Sequence, residues 1–161
     1  MFPDELLDQA ARLIRACEAR DMMLATVESC TGGLIAGCLT SVAGSSSVME
    51  RGFVTYTNEA KQQMVGAPAG LFESVGAVSE EVARAMADGA MKVAPVHLAL
   101  SVTGVAGPGA SESKPAGLVY IGCALAGAQT EVREHHFEGD RQAVRLASVA
   151  AALDMALQRL G

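Results

Sequence analysis

A serine between a strand-like run and a glycine-rich turn is the feature of this sequence that most suggests chemistry. Ser29 follows the apolar residues 22–27 and precedes the turn 30–33, after which an apolar helical segment begins. This arrangement puts the serine hydroxyl at the carboxyl end of a strand, the edge where open α/β sheets bind ligands. Ser29 is therefore a candidate nucleophile, with the N-cap of a helix as its alternative role.

A serine hydroxyl becomes a good nucleophile only when a neighbouring base takes its proton. No spacing ties any of the three histidines to Ser29, so a Ser-His-Asp triad is not indicated. Lys61 is the better candidate, because a poorly solvated lysine loses its proton readily and Ser-Lys pairs replace the triad in some enzymes. The alternative role of Lys61 is that of a solvated lysine on a helix. Tyr56 is suited either to relaying a proton or to capping the end of a strand.

The segments expected to position these residues alternate between strand and helix patterns. Such alternation predicts helices on both faces of a largely parallel sheet, and a hairpin turn at 126–129 adds an antiparallel strand. We therefore predict one domain over residues 1–161, a three-layer α/β/α sandwich with a mixed, mostly parallel sheet. The predicted strands are 22–27, 52–56, 96–102, 118–125 and 131–137, and the predicted helices are an amphipathic helix carrying 6–17, then 33–42, one around 59–62, 80–93 and 140–160, with a loop at 66–78.

Composition and charge disfavour several classes of function. Half of the residues are hydrophobic, only 4% are aromatic, and the formal net charge is −6. A chain with this excess of acidic groups lacks the basic face of a sequence-independent nucleic-acid binder, so we expect a small-molecule ligand and no nucleic acid. We also expect no membrane attachment and a cytoplasmic location. The charge-free stretch 29–49 is rich in Ser, Thr and Gly, and the first residues lack the pattern of a secretion signal.

The four cysteines have neither the close pairs of a zinc site nor the density of a disulfide framework. Cys17, Cys38 and Cys123 are interpreted as buried apolar residues. Cys30 is kept as an alternative nucleophile because it adjoins Ser29. No cluster of Asp, Glu and His has metal-ligand spacing, so we expect neither a metal nor another cofactor.

Five blocks of sequence occur in order along nearly the whole chain. They are ESCTGG at 28–33, YTNEAK at 56–61, GAVSE at 76–80, SVTGVAGPG at 101–109 and GDR at 139–141. Together they resemble the CinA C-terminal domain family. The resemblance implies a three-layer α/β/α fold with a mixed sheet. It also implies a nicotinamide-nucleotide amidase, which converts nicotinamide mononucleotide and water to nicotinate mononucleotide and ammonia.

The resemblance further implies roles for single residues. Ser29 takes the position of the family's nucleophile and Lys61 that of its base, while Tyr56 and Thr103 match the family's tyrosine and threonine. Neutral Lys61 would accept the proton of Ser29, whose Oγ would attack the amide carbon, and backbone N–H groups would stabilise the oxyanion. The donors expected for this task belong to Cys30, Thr31, Gly32 and Gly33.

The loop after Thr103 is expected to bind the nucleotide. Its N–H groups can face a phosphate or a ribose without obstruction by side chains, and the candidates are those of Gly104, Gly107 and Gly109. An ordinary Gly-Pro-Gly loop is the alternative. Residues 110–114 differ from the usual family loop, which carries more glycine at this point.

Two arginines near the end of the sequence are further candidates for binding phosphate. Arg141 and Arg145 lie four residues apart on a predicted helix and so share one face. A solvated pair, or an ion pair with Asp140, is the alternative. Ser46, within the run of serines at 45–47, is another candidate ligand of the phosphate.

A non-catalytic nucleotide-binding or regulatory domain is the alternative function, because domains of the CinA type are often fused to a second, pyrophosphatase-like domain. The joint presence of Ser29, Tyr56, Lys61 and Thr103 favours the enzyme. Glu28 is expected to orient the neighbouring segments by accepting a hydrogen bond. Ala-rich helix faces on a small domain suit self-association, so we expect a homo-oligomer.

Overall fold

Five strands form a single sheet in the computed structural model, which describes all 161 residues, Met1–Gly161. They are β1 (Leu24–Glu28), β2 (Met49–Val54), β3 (Leu98–Gly104), β4 (Leu118–Leu125) and β5 (Glu131–His136). In the spatial order β2-β1-β3-β4-β5, β1 is parallel to both of its neighbours and β4 is antiparallel to both of its own. Four strands therefore run in one direction, which confirms the mixed, mostly parallel sheet.

Six α-helices cover the two faces of the sheet. They are α1 (Asp4–Glu18), α2 (Leu34–Thr40), α3 (Asn58–Val65), α4 (Ala69–Ser74), α5 (Glu80–Val93) and α6 (Arg141–Leu160). The helices α1, α2 and α6 pack on one face, and α5 packs on the other with α3 and α4 beside it. This confirms the three-layer arrangement. None of these helices is both long and apolar enough to cross a bilayer.

Each face of the sheet has its own apolar core, and aliphatic side chains dominate both. The larger core lies under α1, α2 and α6 and includes Leu13, Leu153 and Met155, which are fully buried. All five apolar residues of the predicted stripe on α1 are buried. Cys17, Cys38 and Cys123 are buried free thiols, as predicted. Both cores are thus built from small and aliphatic side chains, since the chain has few aromatic residues.

The ends of several elements differ from their sequence predictions, because pairing with neighbouring strands sets them. β2 begins at Met49 and ends at Val54, so Tyr56 lies beyond it in the following loop. β3 continues through Thr103 to Gly104, because antiparallel pairing with β4 holds these residues in the sheet. Local hydrophobicity cannot reveal such extensions, since the partner strand supplies the hydrogen bonds.

The prediction of a loop over 66–78 was wrong for its centre, where the short helix α4 follows Pro68. Six residues that include a glycine are too few to display a helical stripe. The predicted cap after this segment is confirmed, because the Ser79 hydroxyl accepts from the N–H of Val82 and begins α5. In the same way, Asp140 begins α6 by accepting from the N–H of Ala143.

One glycine sets how closely two helices approach. A Cβ built at Gly89 on α5 would lie 2.0 Å from the carbonyl oxygen of Val65, the last residue of α3. Only glycine therefore allows α3 to lie where it does against α5. This contact matters for the site, because α3 carries Lys61.

Candidate active site

The carboxyl ends of β1, β2 and β3 meet at one edge of the sheet and bring three segments of the chain together. Glu28 at the end of β1 is in register with Val54 of β2 and Val102 of β3. The backbone continues this pairing beyond the strands, since Ser29 N–H donates to the carbonyl of Val102 at 3.0 Å. On the other side, Thr55 N–H donates to Glu28 O at 2.8 Å. Ser29 is thus fixed between the ends of two neighbouring strands.

Residues 29–33, which we call the serine turn, reverse the chain between β1 and α2. Gly32 N–H donates to the carbonyl of Ser29 at 3.0 Å and closes the turn. Gly32 and Gly33 have φ values of +58° and +99°, in the left-handed region that favours glycine. The two glycines are therefore required by the backbone that brings the chain back onto the sheet.

The carboxylate of Glu28, rather than the hydroxyl of Ser29, satisfies the first N–H groups of α2. Glu28 is fully buried, and its carboxylate accepts from Ile35 N at 2.8 Å and Ala36 N at 3.0 Å. A third donor, the hydroxyl of Thr26, lies 3.1 Å away. The N-cap position of α2 is Gly33, which has no capping side chain. The structure therefore gives Glu28 the expected orienting role and leaves the Ser29 hydroxyl free of the capping role.

Lys61 reaches Ser29 from the first turns of α3. The helix begins at Thr57, whose hydroxyl accepts from Ala60 N at 3.0 Å. Lys61 is 1% exposed, and its Nζ lies 3.0 Å from Ser29 Oγ. Burial lowers the pKa of Lys61 from 10.5 to about 8, and no carboxylate forms an ion pair with it. The alternative of a solvated helix lysine is thereby excluded.

The surroundings of Lys61 Nζ match the needs of a neutral amine. Nζ lies 2.8 Å from the carbonyl of Thr55 and 3.3 Å from that of Tyr56. A neutral amine has two N–H donors and one lone pair, whereas an ammonium group has three donors and no lone pair. The two carbonyls can take both N–H groups of the amine, which leaves the lone pair to face Ser29 Oγ. The geometry therefore suits proton transfer from Ser29 to Lys61.

Tyr56, Thr103 and Arg141 face the same cleft. The hydroxyl of Tyr56 accepts from Arg141 Nη2 at 3.1 Å, although the tyrosine itself is 59% exposed. Arg141 Nη1 also donates to the carbonyl of Gly107 at 2.7 Å. Thr103 is buried, and its hydroxyl donates to Ala77 O at 2.8 Å, so only its lone pairs remain for a ligand.

A cleft of about 320 Å³ connects these groups. Ser29 and Lys61 lie in its wall, so the proposed nucleophile and base both reach the space where a ligand would bind. The other predicted site residues that line the cleft are Cys30, Tyr56, Thr103, Gly104, Gly107, Gly109 and Arg141. Thr31, Gly32, Gly33, Arg145 and Ser46 do not line it.

The N–H groups of the serine turn are not equally available to an oxyanion. Gly32 N–H is already bonded to the carbonyl of Ser29, so it cannot serve as predicted without breaking the turn. Cys30 lines the cleft, and its N–H donates to no backbone oxygen. Ala106 and Gly107, also in the cleft wall, likewise have N–H groups without a backbone acceptor. Cys30 is therefore the best-placed donor of the predicted four.

Two predicted phosphate ligands lie away from the cleft. Ser46 is exposed in the 3₁₀ turn Ser45–Ser47, which precedes β2 and so lies at the opposite edge of the sheet from Ser29. Arg145 donates through Nε to Cys30 O and through Nη2 to Thr31 O, both at 3.1 Å. Arg141 and Arg145 share a helix face as predicted, but only Arg141 reaches the cleft.

Glu112 and Lys114, which sequence reasoning did not select, attach the loop 110–114 to the entrance of α5. The carboxylate of Glu112 lines the cleft and accepts from Ala77 N at 3.3 Å and Val78 N at 3.4 Å. Lys114 Nζ donates to Val75 O at 2.8 Å and also to Val78 O. These partners are all backbone groups, so no pattern of side chains in the sequence signals the contact.

The remaining candidates for nucleophile and base are less suited to the reaction. Burial raises the pKa of the Cys30 thiol to about 11, which keeps it neutral and weakly nucleophilic. His97 accepts from Met23 N, whereas His136 pairs with Glu134. His135 stacks on Phe137, and none of the three histidines lines the cleft. No group of three or more His, Cys, Asp or Glu residues is arranged to hold a metal ion.

Comparison with known families shows which family the chain belongs to. The model of the CinA C-terminal domain matches residues 7–160. The chain belongs to the CinA C-terminal domain family. It is also 45% identical to the nicotinamide-nucleotide amidohydrolase PncC of Escherichia coli, with 99% of this chain and 97% of that protein covered.

Other members of the CinA C-terminal domain family differ in length. A CinA-like protein of Geobacter sulfurreducens is 49% identical over 98% of this chain, but the chain spans only 38% of that protein. Among solved structures, the competence/damage inducible protein CihA of Agrobacterium tumefaciens superposes with a TM-score of 0.95 at 43% identity. That match covers 99% of this chain and 98% of the other. The α/β/α architecture is therefore that of the CinA family.

Proposed function

We propose that this protein hydrolyses the carboxamide of nicotinamide mononucleotide to nicotinate mononucleotide and ammonia, with Ser29 as nucleophile and Lys61 as base. The observation that carries the proposal is the distance of 3.0 Å between Lys61 Nζ and Ser29 Oγ in a buried site where no carboxylate forms an ion pair with the lysine. The Escherichia coli relative, a nicotinamide-nucleotide amidohydrolase, supports the choice of substrate.

Acylation begins with neutral Lys61, which accepts the proton of Ser29 as Oγ attacks the amide carbon. The carbonyl oxygen becomes an oxyanion, and Cys30 N–H is a donor in the cleft that has no protein acceptor to give up. Protonated Lys61 then gives its proton to the leaving nitrogen, so ammonia departs and Ser29 is left as the nicotinoyl ester. Because the same amine accepts and returns the proton, one base serves both halves of the step.

Deacylation reverses the roles with water in place of ammonia. Lys61 takes a proton from the attacking water, the ester carbonyl passes through a second oxyanion, and Ser29 Oγ leaves with the proton from Lys61. The product carries a carboxylate where the substrate carried an amide. Tyr56 lies at the exposed side of the cleft, where its hydroxyl is suited to contact the ligand.

The phosphate of the substrate is expected near Arg141, the one arginine in the cleft wall. Its guanidinium has donors beyond the two that bind Gly107 O and Tyr56 Oη. The free N–H groups of Ala106 and Gly107 lie in the same wall and can add to anion binding. Cytoplasmic location, self-association and independence from metals stay predictions from the sequence.

Ammonia release from nicotinamide mononucleotide by the pure protein, with a metal chelator present, tests the proposal. We expect turnover in the wild type and its loss in both Ser29→Ala and Lys61→Ala. The matched control is Lys92→Ala, which changes a lysine in the last turn of α5, away from the cleft. Full activity in Ser29→Ala with inactivation by thiol reagents would instead indicate Cys30. Saturable nucleotide binding without turnover would favour the non-catalytic alternative.

A further inference from the structure

Arg145 contacts the serine turn from the side of α6 rather than from the cleft. Its Nε donates to the carbonyl of Cys30 and its Nη2 to the carbonyl of Thr31, each at 3.1 Å. A Cβ built on Gly32 would lie 3.4 Å from Nη2, so the guanidinium lies directly over the glycine of the turn. No carboxylate forms an ion pair with Arg145, and the two carbonyls are its only protein acceptors.

We propose, on the basis of the amidase function above, that Arg145 is a positioning residue that fixes the peptide planes of the serine turn for oxyanion binding. A peptide unit is planar and trans, so fixing the carbonyl of Cys30 also fixes the N–H of Thr31 in the opposite direction. The carbonyl of Thr31, which also accepts from Leu34 N at 3.1 Å, fixes the N–H of Gly32 in the same way. Gly32 N–H in turn donates to the carbonyl of Ser29, so it holds the peptide unit that carries the N–H of Cys30, the residue of the turn that lines the cleft. One rigid guanidinium therefore holds two consecutive peptide planes.

Two backbone hydrogen bonds close the serine turn, from Gly32 N–H to Ser29 O and from Leu34 N–H to Thr31 O, and no side chain of residues 30–33 adds a further one. Gly32 and Gly33 lack side chains that would limit rotation of the backbone, and the side chain of Thr31 has no hydrogen-bond partner. If the peptide between Thr31 and Gly32 rotated, Gly32 N–H would leave the carbonyl of Ser29, and the peptide that carries Cys30 N–H would lose its orientation. Arg145 prevents this rotation, and its positive charge strengthens the N–H dipoles of the same peptide units.

A direct contact between Arg145 and the substrate is disfavoured by where its guanidinium lies. Arg145 is absent from the cleft wall and instead lines a neighbouring cavity of about 340 Å³ with Leu34 and Leu146, and Arg141 lies between the two spaces and lines both. That cavity offers small solutes a path to the guanidinium site. A variant that lacks the Arg145 guanidinium can therefore be tested for rescue by guanidinium ions from solution.

The test compares Arg145→Ala and Arg145→Lys with the wild type and with Arg159→Ala. Arg159 is the matched control, because it lies on the same helix and donates to the carbonyl of Gln129 far from the cleft. We expect kcat of Arg145→Ala to fall by ~10²-fold with KM changed by less than about threefold, since small misplacement of reacting groups costs rate more than binding. Arg145→Lys, which can hold one carbonyl, should have a kcat between those of the wild type and Arg145→Ala.

Guanidinium chloride at low, non-denaturing concentration should restore part of the activity of Arg145→Ala, while urea and sodium chloride at the same concentration should not. Thermal unfolding of each variant accompanies the kinetics, and where Arg145→Ala does not fold, Arg145→Lys carries the test alone. Unchanged kcat in the folded variants, or a rise in KM at constant kcat, would overturn the proposal. Absence of amide hydrolysis in the wild type would overturn the proposed function instead.

Discussion

Two walls of the cleft are held by different kinds of contact. The wall with Ser29 and Lys61 rests on charged or titratable groups that are removed from water, including Glu28. The wall formed by the loop after β3 rests on Glu112, which is exposed, and on Lys114, which is partly buried. Buried polar contacts lack competition from water and lose much free energy when one partner is removed. The first wall is therefore suited to fix reacting atoms, and the second to adapt to a ligand.

Replacing Lys61 should lower the rate more than any other substitution in the two walls, yet it should raise the free energy of unfolding. We expect Lys61→Met to lower kcat by ~10⁴-fold or more, as loss of the general base does in other serine hydrolases. At pH 7 the buried ammonium form of Lys61 lowers the free energy of unfolding by up to ~3 kcal/mol, because its pKa falls from 10.5 to about 8 on folding. Since the variant also leaves two carbonyls without a donor, we expect a net gain of ~1–2 kcal/mol in the free energy of unfolding. Urea unfolding measures this, and a less stable variant would contradict the account.

The pH dependence of the wild type should follow the ionisation of Lys61. The neutral amine is the reactive form, so kcat/KM should rise about tenfold per pH unit below the pKa of about 8 and level off above it. The unfolded chain binds more protons than the folded one between pH 8 and 10.5, so the free energy of unfolding should also rise across this interval. Lys61→Met should lose that rise. A rate profile that levels off near pH 6 would contradict Lys61 as the base.

Glu28→Gln tests whether the buried carboxylate holds the wall with the nucleophile. The amide offers one acceptor oxygen where the carboxylate offers two to Ile35 N and Ala36 N, so an N–H group of α2 would lose its partner. We expect a loss of ~1–3 kcal/mol in urea unfolding and a fall in kcat of about tenfold. Glu50→Gln is the control, because this partly buried glutamate pairs with its neighbour Arg51 and accepts from no helix N–H group, so its replacement should change stability far less. If Glu28→Gln and Glu50→Gln changed stability and kcat equally, Glu28 would have no special part in holding this wall.

Gly89→Ala tests the same wall through helix packing. The added methyl group would meet Val65 O at 2.0 Å, so α3 must move and carry Lys61 with it. We expect a loss of ~1–3 kcal/mol in stability together with a several-fold fall in kcat. In Gly70→Ala the methyl group meets nothing within 4 Å, and this helical control should be neutral or stabilising. A stable and fully active Gly89→Ala would show that α3 tolerates displacement.

Lys114→Ala should have the smallest effect, because it changes the exposed wall. Two hydrogen bonds to the backbone of Val75 and Val78 are lost, in a loop that solvent already reaches. We expect stability to change by less than ~1 kcal/mol and KM for the nucleotide to rise a few-fold at nearly constant kcat. Steady-state kinetics separates the two parameters. A fall in kcat comparable to that of Glu28→Gln would mean that both walls position the reacting groups.

The sequence predicted the sheet class and part of the cleft wall, because both leave a local signal. Ser29, Tyr56, Lys61 and Thr103 lie in contiguous blocks, and apolar runs marked most of the strands. Ser46 was selected by residue type alone, although a residue before β2 lies at the amino end of a parallel strand and so away from Ser29.

The partners in the contacts that hold the site could not be predicted, because they are backbone groups. Glu28 accepts from the N–H groups of α2, and Arg145 donates to carbonyls of the serine turn. Glu112 and Lys114 bind the backbone of residues 75–78 in the same way. Every residue carries a backbone donor or acceptor, so the sequence holds no sign of which one a side chain will reach.

The parallel pairing of β1 with β3 also governs when the site is assembled during synthesis of the chain. Ser29 and Lys61 both leave the ribosome before β3, whose Val102 carbonyl holds the Ser29 backbone. Long-range parallel pairing is slow, because a large loop must close before its contacts form. A nascent chain that lacks β3 carries the proposed nucleophile and base but not the strand that anchors the serine. Amide hydrolysis should therefore report completed folding rather than the mere presence of both side chains.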